Sequence, residues 1–337
     1  MGDMLPAVLR VHAEPYAYHD DASVHRRIAR DPHGYVRFLR QRLTDIASGG
    51  DTVTLPPKSL FVDGPGQGDF RVMPCVIGHG TNAVKVVKVI GTNLDGREVP
   101  DQVTVGKVLC LHPTENFVRH IFEACLLSSA RTGACAALAI GLLGTHCEDV
   151  AIVGAGRVGY YTGLFVGGLD GVRRVVFSDA VAGRAAEVAA TLADRASGCC
   201  YTAASADTVA TADVVIVATT STEALFCPGD LQAALVVSMG ADTEEQRELS
   251  QGWVDAADLY VDTRDSFAVG DLRAWSNGLG RAPTVLADLV GLFAPNGSGE
   301  RSARRRVFIG TGSALLDALT VEYLLRPLGN AGPAAHA

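Results

Sequence analysis

Residues 150–159, Val-Ala-Ile-Val-Gly-Ala-Gly-Arg-Val-Gly, set a Gly-x-Gly-x-x-Gly run directly behind an apolar tetrapeptide and ahead of a segment that can continue as a helix. In that setting Gly154 permits a tight turn, Gly156 lets a pyrophosphate approach the backbone, and Gly159 lets helix and strand pack closely, with the phosphates over the first helical amides. Asp179 lies 25 positions after Gly154, at the end of the next apolar run. A carboxylate there accepts from ribose hydroxyls and repels a 2′-phosphate, so the pattern points to NAD in preference to NADP. Asp179 equally suits a helix N-cap for a segment beginning at Val181. Thr219-Thr220-Ser221-Thr222 closes a third apolar run, where hydroxyls can reach a ribose or nicotinamide or form an ordinary turn.

Several charged side chains interrupt otherwise apolar stretches. Lys85 and Lys88 stand among Val84, Val86, Val87, Val89 and Ile90, and a separation of three puts them on opposite faces of a strand. A lysine on an apolar face needs an anionic partner or a task, whereas one at a sheet edge can simply discourage pairing. Arg131 follows Ser128-Ser129-Ala130, where a guanidinium on a small-residue helix can grip a carboxylate in bidentate fashion. Asp242 follows Gly240-Ala241 after another apolar run, as either a turn residue or a base.

The elements that must hold these groups read as two kinds of module. Up to Gly50 the periodicity predicts two helices broken at Asp31-Pro32, the second with Val36, Leu39, Leu43 and Ile46 on one face. Strands over 52–55, 70–77, 83–90 and 103–111 predict a mostly antiparallel sheet. A long buried helix over 126–143 then carries the chain into alternating units: strands over 150–153, 174–178, 214–218, 234–238, 259–262 and 307–309, with helices after Gly156, over 180–196 and over 313–325. Continuous Val/Ile runs separated by helices predict a parallel sheet covered on both faces, an α/β doubly wound architecture. Residues 296–306 read as a polar loop, including Arg304-Arg305-Arg306 as a solvated face, and 329–337 as a frayed tail. His112, before Pro113, and His120, read as helical, are taken as structural.

The chain has 337 residues, 48% hydrophobic and 20% charged, with a mean hydropathy of +0.20. That excludes a disordered or fibrous chain and suits about two domains. A net charge of −8 leaves no broad basic field for nucleic acid or an anionic membrane. The apolar stretch 134–144 is shorter than the ~18 residues a spanning helix needs, and Asp3 interrupts any leader in residues 1–9, so a soluble, cytoplasmic protein is expected. The eight cysteines show no CxxC pair and no zinc spacing, so reduced thiols and no metal are expected.

Taken together, Lys85 with Asn93, Ser129-Ala130-Arg131-Thr132-Gly133, Gly154-Ala155-Gly156, Gly240-Ala241-Asp242 with Arg247-Glu248-Leu249, and Val307-Phe308 with Gly312 and Asp317 resemble the ornithine cyclodeaminase/mu-crystallin family over nearly the whole chain. The resemblance implies a homodimer in which a Rossmann NAD-binding domain (131–312) is inserted into an α+β substrate and dimerisation domain (1–130 with 313–337). It implies that Lys85, as a catalytic and binding residue, and Arg131 hold a substrate carboxylate, that Lys58 and Thr311 join the substrate site, and that Asp242 is the acid/base. Gln102, Thr132, Ala155, Arg157, Val158, Asp179, Thr219, Thr220, Met239 and Gly240 are implied to line the cofactor, beside the three glycines.

One departure bears on the reaction. The cyclodeaminases of the family carry a glutamate two residues before a Met-Pro pair, and here Arg71 precedes Met73-Pro74. An arginine repels a diamine and welcomes a second carboxylate, unless it is only a surface ion pair on an edge strand. With Ala124-Cys125-Leu126-Leu127-Ser128-Ser129, which resembles the 2,3-diaminopropionate-forming branch that oxidises N-(2-amino-2-carboxyethyl)glutamate, this implies an NAD-dependent dehydrogenase or imine reductase for a carboxylate-rich amino acid. A redox-neutral ornithine or lysine cyclodeaminase and a non-catalytic small-ligand binder like the mu-crystallins are the alternatives.

Overall fold

The computed structural model describes residues 7–62, 68–93, 98–195, 198–295 and 303–327. Its first part comprises β1 (Ala17–His19), α1 (Asp21–Ala29), α2 (Pro32–Ala47), β2 (Val53–Thr54), β3 (Ser59–Val62), β4 (Asp69–Ile77), β5 (Val84–Thr92), β6 (Thr104–Leu111) and β7 (Val118–Glu123). Pro32 starts α2 rather than merely ending α1: Asp31 caps the Gly34 amide at 2.8 Å, and proline at the first helical position loses no bond. The strands pair in the order β1-β7-β6-β5-β4-β2, with β3 also on β4; β1 runs parallel to β7 and the other pairs are antiparallel.

Alternation sorts this sheet's side chains. Arg71, Met73, Cys75 and Ile77 of β4 and Val86, Lys88 and Ile90 of β5 are buried on the inner face. Phe70 and Val89 point outward and are exposed. Residues 118–123, and with them His120, form a strand instead of a helix, because β7 is fixed by pairing along β6 that local periodicity does not announce. His112 stacks on Phe117 in the turn before it.

From β7 the chain enters α3 (Ala124–Leu143), which packs on α1, α2, α4 and α10. By length and apolarity this helix suffices to cross a membrane, although no stretch within it looked long enough from sequence; here its residues are mostly buried against other elements. The second sheet comprises β8 (Asp149–Val153), α4 (Arg157–Val166), β9 (Arg174–Ser178), α5 (Arg184–Ala193), β10 (Cys200–Ala203), α6 (Ala206–Ala210), β11 (Val214–Val217), β12 (Leu235–Ser238), α7 (Trp253–Ala256), β13 (Ala257–Val261), α8 (Gly270–Leu279), β14 (Ala287–Asp288), α9 (Leu289–Phe293) and β15 (Arg305–Ile309). Its order is β10-β9-β8-β11-β12-β15-β13-β14, with every pair parallel. Strand order reverses between β8 and β11, which opens a crevice at their carboxyl ends. Finally α10 (Ala314–Leu325) leaves β15 and returns to pack on β4 and β5 of the first sheet.

Two sequence expectations shift here. The helix expected from 180 begins at Arg184, because Asp179 caps the Val181 amide in a turn and Gly183 enters the helix at φ +83°. Arg305 and Arg306 are strand residues, not a solvated face: Arg305 lies over the Trp253 ring and Arg306 is buried, donating to the Leu143 carbonyl. Residues 296–302 of the expected loop and the tail 329–337 lie outside the described residues.

Candidate functional site

A cleft of about 1090 Å³ runs between the inner face of the first sheet and the carboxyl edge of the second. Its polar end takes a side chain from each surrounding element. Arg71 comes from β4 and Lys88 from β5; α3 contributes Arg131 with Ser128 and Ser129; the segment after β12 contributes Asp242, and the one after β15 contributes Thr311.

Ion pairs fix these groups. Asp317, fully buried between Leu316 and Ala318 on α10, lies 2.6 Å from the Lys88 Nζ and 3.0 Å from the Arg131 Nε. Arg131 also donates to the Ser128 hydroxyl at 2.9 Å. One carboxylate between two cations leaves a net positive charge, and burial together with Arg131 pulls Lys88 down to about 8. Arg71 is held on both sides, by Asp69 and by Asp242 at 2.9 Å each. It is buried on an interior strand, so the edge-strand reading of Arg71 is overturned. Burial alone would raise the Asp242 carboxyl, but Arg71, then Lys58 and Arg131, outweigh it and hold it below the ordinary carboxylate range.

Lys85 is not part of this site. It projects from the opposite face of β5 and donates to the Asn116 side chain at 2.6 Å, while Lys88, three residues on, occupies the inner face. Lys58 approaches from behind the cleft, donating to the Thr311 carbonyl and hydroxyl at 3.1 Å, with burial lowering its basicity. Asp317 and Lys88 were both visible in the sequence without an assigned role, and the signal was a lone charge inside an apolar helix or strand face.

The other end of the cleft is built by the glycine loop. Ala155, Gly156, Arg157 and Val158 line it, as do Thr132, Thr219, Thr220, Met239 and Gly240. Gly154 sits behind the lining at φ +102°, and a β-carbon on it would stand 2.2 Å from the Ala218 carbonyl. Gly159 presses equally close to the Gly154 carbonyl. Asp179 accepts from the Ala155 and Val181 amides at 2.7 and 2.8 Å, so it braces the loop and caps the turn at once. Gln102 does not line the cleft; its neighbours Asp101 and Val103 do, and Arg157 donates to the Asp101 carbonyl at 2.6 Å. A glycine turn at the switch point, an uncapped ten-residue helix start at Gly156 and open space over that glycine fit a dinucleotide pyrophosphate.

Comparison with known proteins follows the same lines. A family model described as the ornithine cyclodeaminase/mu-crystallin family matches residues 23–274. The fold is similar to that of the Thermococcus litoralis Δ1-pyrroline-2-carboxylate reductase in complex with NADH and L-proline (18% identity, 91% of this chain and 95% of that one, TM-score 0.81). It is also similar to an archaeal alanine dehydrogenase dimer with bound NAD (19%, 92% and 94%, TM-score 0.79). A lysine cyclodeaminase, described with recognition of L-lysine, L-ornithine and L-2,4-diaminobutyric acid, is comparable (20%, 93% and 92%, TM-score 0.78). A search of curated protein sequences returns no match.

Proposed function

The chain belongs to the ornithine cyclodeaminase/mu-crystallin family, and on that premise we propose that it is an NAD-dependent oxidoreductase interconverting an imine and an amino acid or N-substituted, carboxylate-rich amino acid. The observation that carries this reading is the Arg71–Asp242 pair at 2.9 Å in a cleft that also receives Arg131 and Lys88. It sets a carboxylate able to move a proton beside three cations able to hold carboxylates.

NAD would be held by the 154–159 loop, by Asp179 and by the ends of β11 and β12. NAD bound there would supply hydride transfer to or from the substrate Cα. Lys88 and Arg131, which keep a surplus positive charge over Asp317, fit the α-carboxylate. Arg71 receives a second carboxylate by exchanging it for that of Asp242, and Asp242, so released, takes a proton from the α-nitrogen or returns it. Fixing the substrate between these charges supplies the orientation the reaction needs. In this reading residues 1–130 with 313–337 form the substrate and dimerisation domain, residues 131–312 bind NAD, and the protein works as a cytoplasmic homodimer.

A redox-neutral cyclodeaminase is the second reading, and one observation favours it. Arg71 faces two carboxylates, Asp69 and Asp242, so that corner carries a net negative charge that suits a distal ammonium. The deciding experiment incubates the protein with NAD+ and a panel of amino acids, diamines and carboxylate-bearing secondary amines, following NADH absorbance and ammonia release in parallel. NADH formed with a carboxylate-rich amine is the expected result. Ammonia and a cyclic product without NADH make the protein a cyclodeaminase. Arg71→Glu is expected to shift preference towards diamines.

A further inference from the structure

Behind the floor of the cleft, two buried carboxylates meet one hydroxyl. Glu248 accepts through Oε1 from the Thr219 amide at 2.6 Å and the Thr219 hydroxyl at 2.9 Å. Through Oε2 it accepts from the Met239 and Gly240 amides at 3.1 and 2.9 Å. It therefore ties together the ends of β11 and β12, whose next residues line the cleft and lead, two residues after Gly240, to Asp242. The fit admits nothing larger, since a β-carbon on Gly240 would lie 2.4 Å from the Glu248 carboxylate. Asp271, in the first turn of α8, accepts from the Glu248 and Leu249 amides at 2.9 and 3.3 Å.

The Ser238 Oγ stands 2.7 Å from Glu248 Oε2 and 3.1 Å from Asp271 Oδ2. A serine hydroxyl has one hydrogen, so it donates to one carboxylate only; the other contact is a hydrogen bond only if that carboxyl brings a proton of its own. We propose that Glu248 is the positioning residue of the shelf carrying the cofactor-lining strand ends and Asp242, and that Glu248 and Asp271 hold a single proton between them through Ser238. Burial, then the Asp271 charge, raises Glu248 to about 7, and burial raises Asp271; Arg247 is the cation that opposes the latter shift. Losing the shared proton leaves two buried anions around one hydroxyl and removes one of the two links.

Two isosteric variants separate this from a merely structural role. Asp271→Asn keeps an oxygen for the two amides and turns an NH2 to Ser238, which then donates to an ionised Glu248, reproducing the singly charged arrangement without a titrating proton. Glu248→Gln cannot do so, because either orientation sets an NH2 against backbone N–H groups and leaves one of the two strand ends without its acceptor. Since the folded carboxyl is raised, its stabilisation is full below the ordinary glutamate range and is lost as pH rises through about 7. The wild-type melting temperature is expected to fall across that window, and Asp271→Asn to lack that component of the slope. By calorimetry with NAD+ at pH 6 and 8.5, wild type is expected to weaken at least about threefold, Asp271→Asn to stay constant, and Glu248→Gln to bind at least about tenfold more weakly at both. A wild-type pH slope in Asp271→Asn overturns the shared proton, and wild-type NAD+ affinity in Glu248→Gln overturns the positioning role. The NAD+ readout rests on the proposed cofactor; if wild type does not bind NAD+, that proposal and the positioning role fail, while the melting slopes still decide the proton. Should Glu248→Gln not fold, the Asp271→Asn comparison decides alone.

Discussion

Asp242 is held by the guanidinium that a substrate would want. While Arg71 donates to it at 2.9 Å, the carboxyl is kept below its ordinary range and is a weak base. A substrate carboxylate that takes over Arg71 withdraws that cation, so the base strengthens only when the site is filled. Asp242→Asn should therefore lower kcat by about 10²–10⁴-fold, the usual worth of a positioned acid/base, while NAD+ affinity measured by calorimetry stays at its wild-type value. Arg71→Gln should raise KM for a dicarboxylate substrate by about 10–100-fold in steady-state kinetics, with a smaller effect on a monocarboxylate. Lys88 adds a pH signature. Lowered to about 8, it loses its charge above that value, so kcat/KM should fall above pH 8 in wild type and be low but flat there in Lys88→Met.

Among the elements, α10 does the joining, since a helix that follows the last strand of one sheet carries the carboxylate that ties Lys88 on the other sheet to Arg131 on α3. Asp317→Leu would leave Lys88 and Arg131 buried without their partner, and breaking a buried pair in this way costs about 3–5 kcal/mol, readable as a lower denaturant midpoint. Gly154→Ala should abolish NAD+ binding for a local reason, because a β-carbon 2.2 Å from the Ala218 carbonyl forces β8 and β11 apart at the switch point. The βα units and the glycine turn were legible because buried parallel strands read as Val/Ile runs and a positive-φ turn demands glycine. The three-residue β1, the two-residue β14 and strand β7 were not, since such pieces exist through pairing rather than through any period of their own. The site was legible to the same depth. Asp242, Arg131 and Arg71 could be named, but whether Lys85 or Lys88 faced inward depended on strand phase. The link from Asp317 to both cations spans 186 positions or more and has no local sign.

At the scale of the whole molecule, the described residues cover one face of the first sheet and leave apolar side chains exposed on the other. Its inner face meets α3 and α10, while on the outer face Phe61 and Phe70 stack at 4.6 Å and remain 45% and 40% exposed, with Val89 of β5 on the same side. A contiguous apolar face of this kind is costly to leave in water, and a second copy of the sheet laid on it would bury it through an isologous contact. The strands that present this face also present Arg71 and Lys88 on the other side, one residue away from Phe70 and Val89 in each case. Covering the face would thus stiffen the strands that hold the substrate cations. With a chain mass of 35.2 kDa, wild type is expected to run as a particle of about 70 kDa in light scattering at micromolar concentration. Val89→Lys should shift it towards the single-chain mass and raise KM for the amino acid substrate while NAD+ affinity changes little, because the dinucleotide end of the cleft belongs to the other sheet. A wild-type protein that stays at 35.2 kDa would remove the second copy from this account and leave the outer face for another partner.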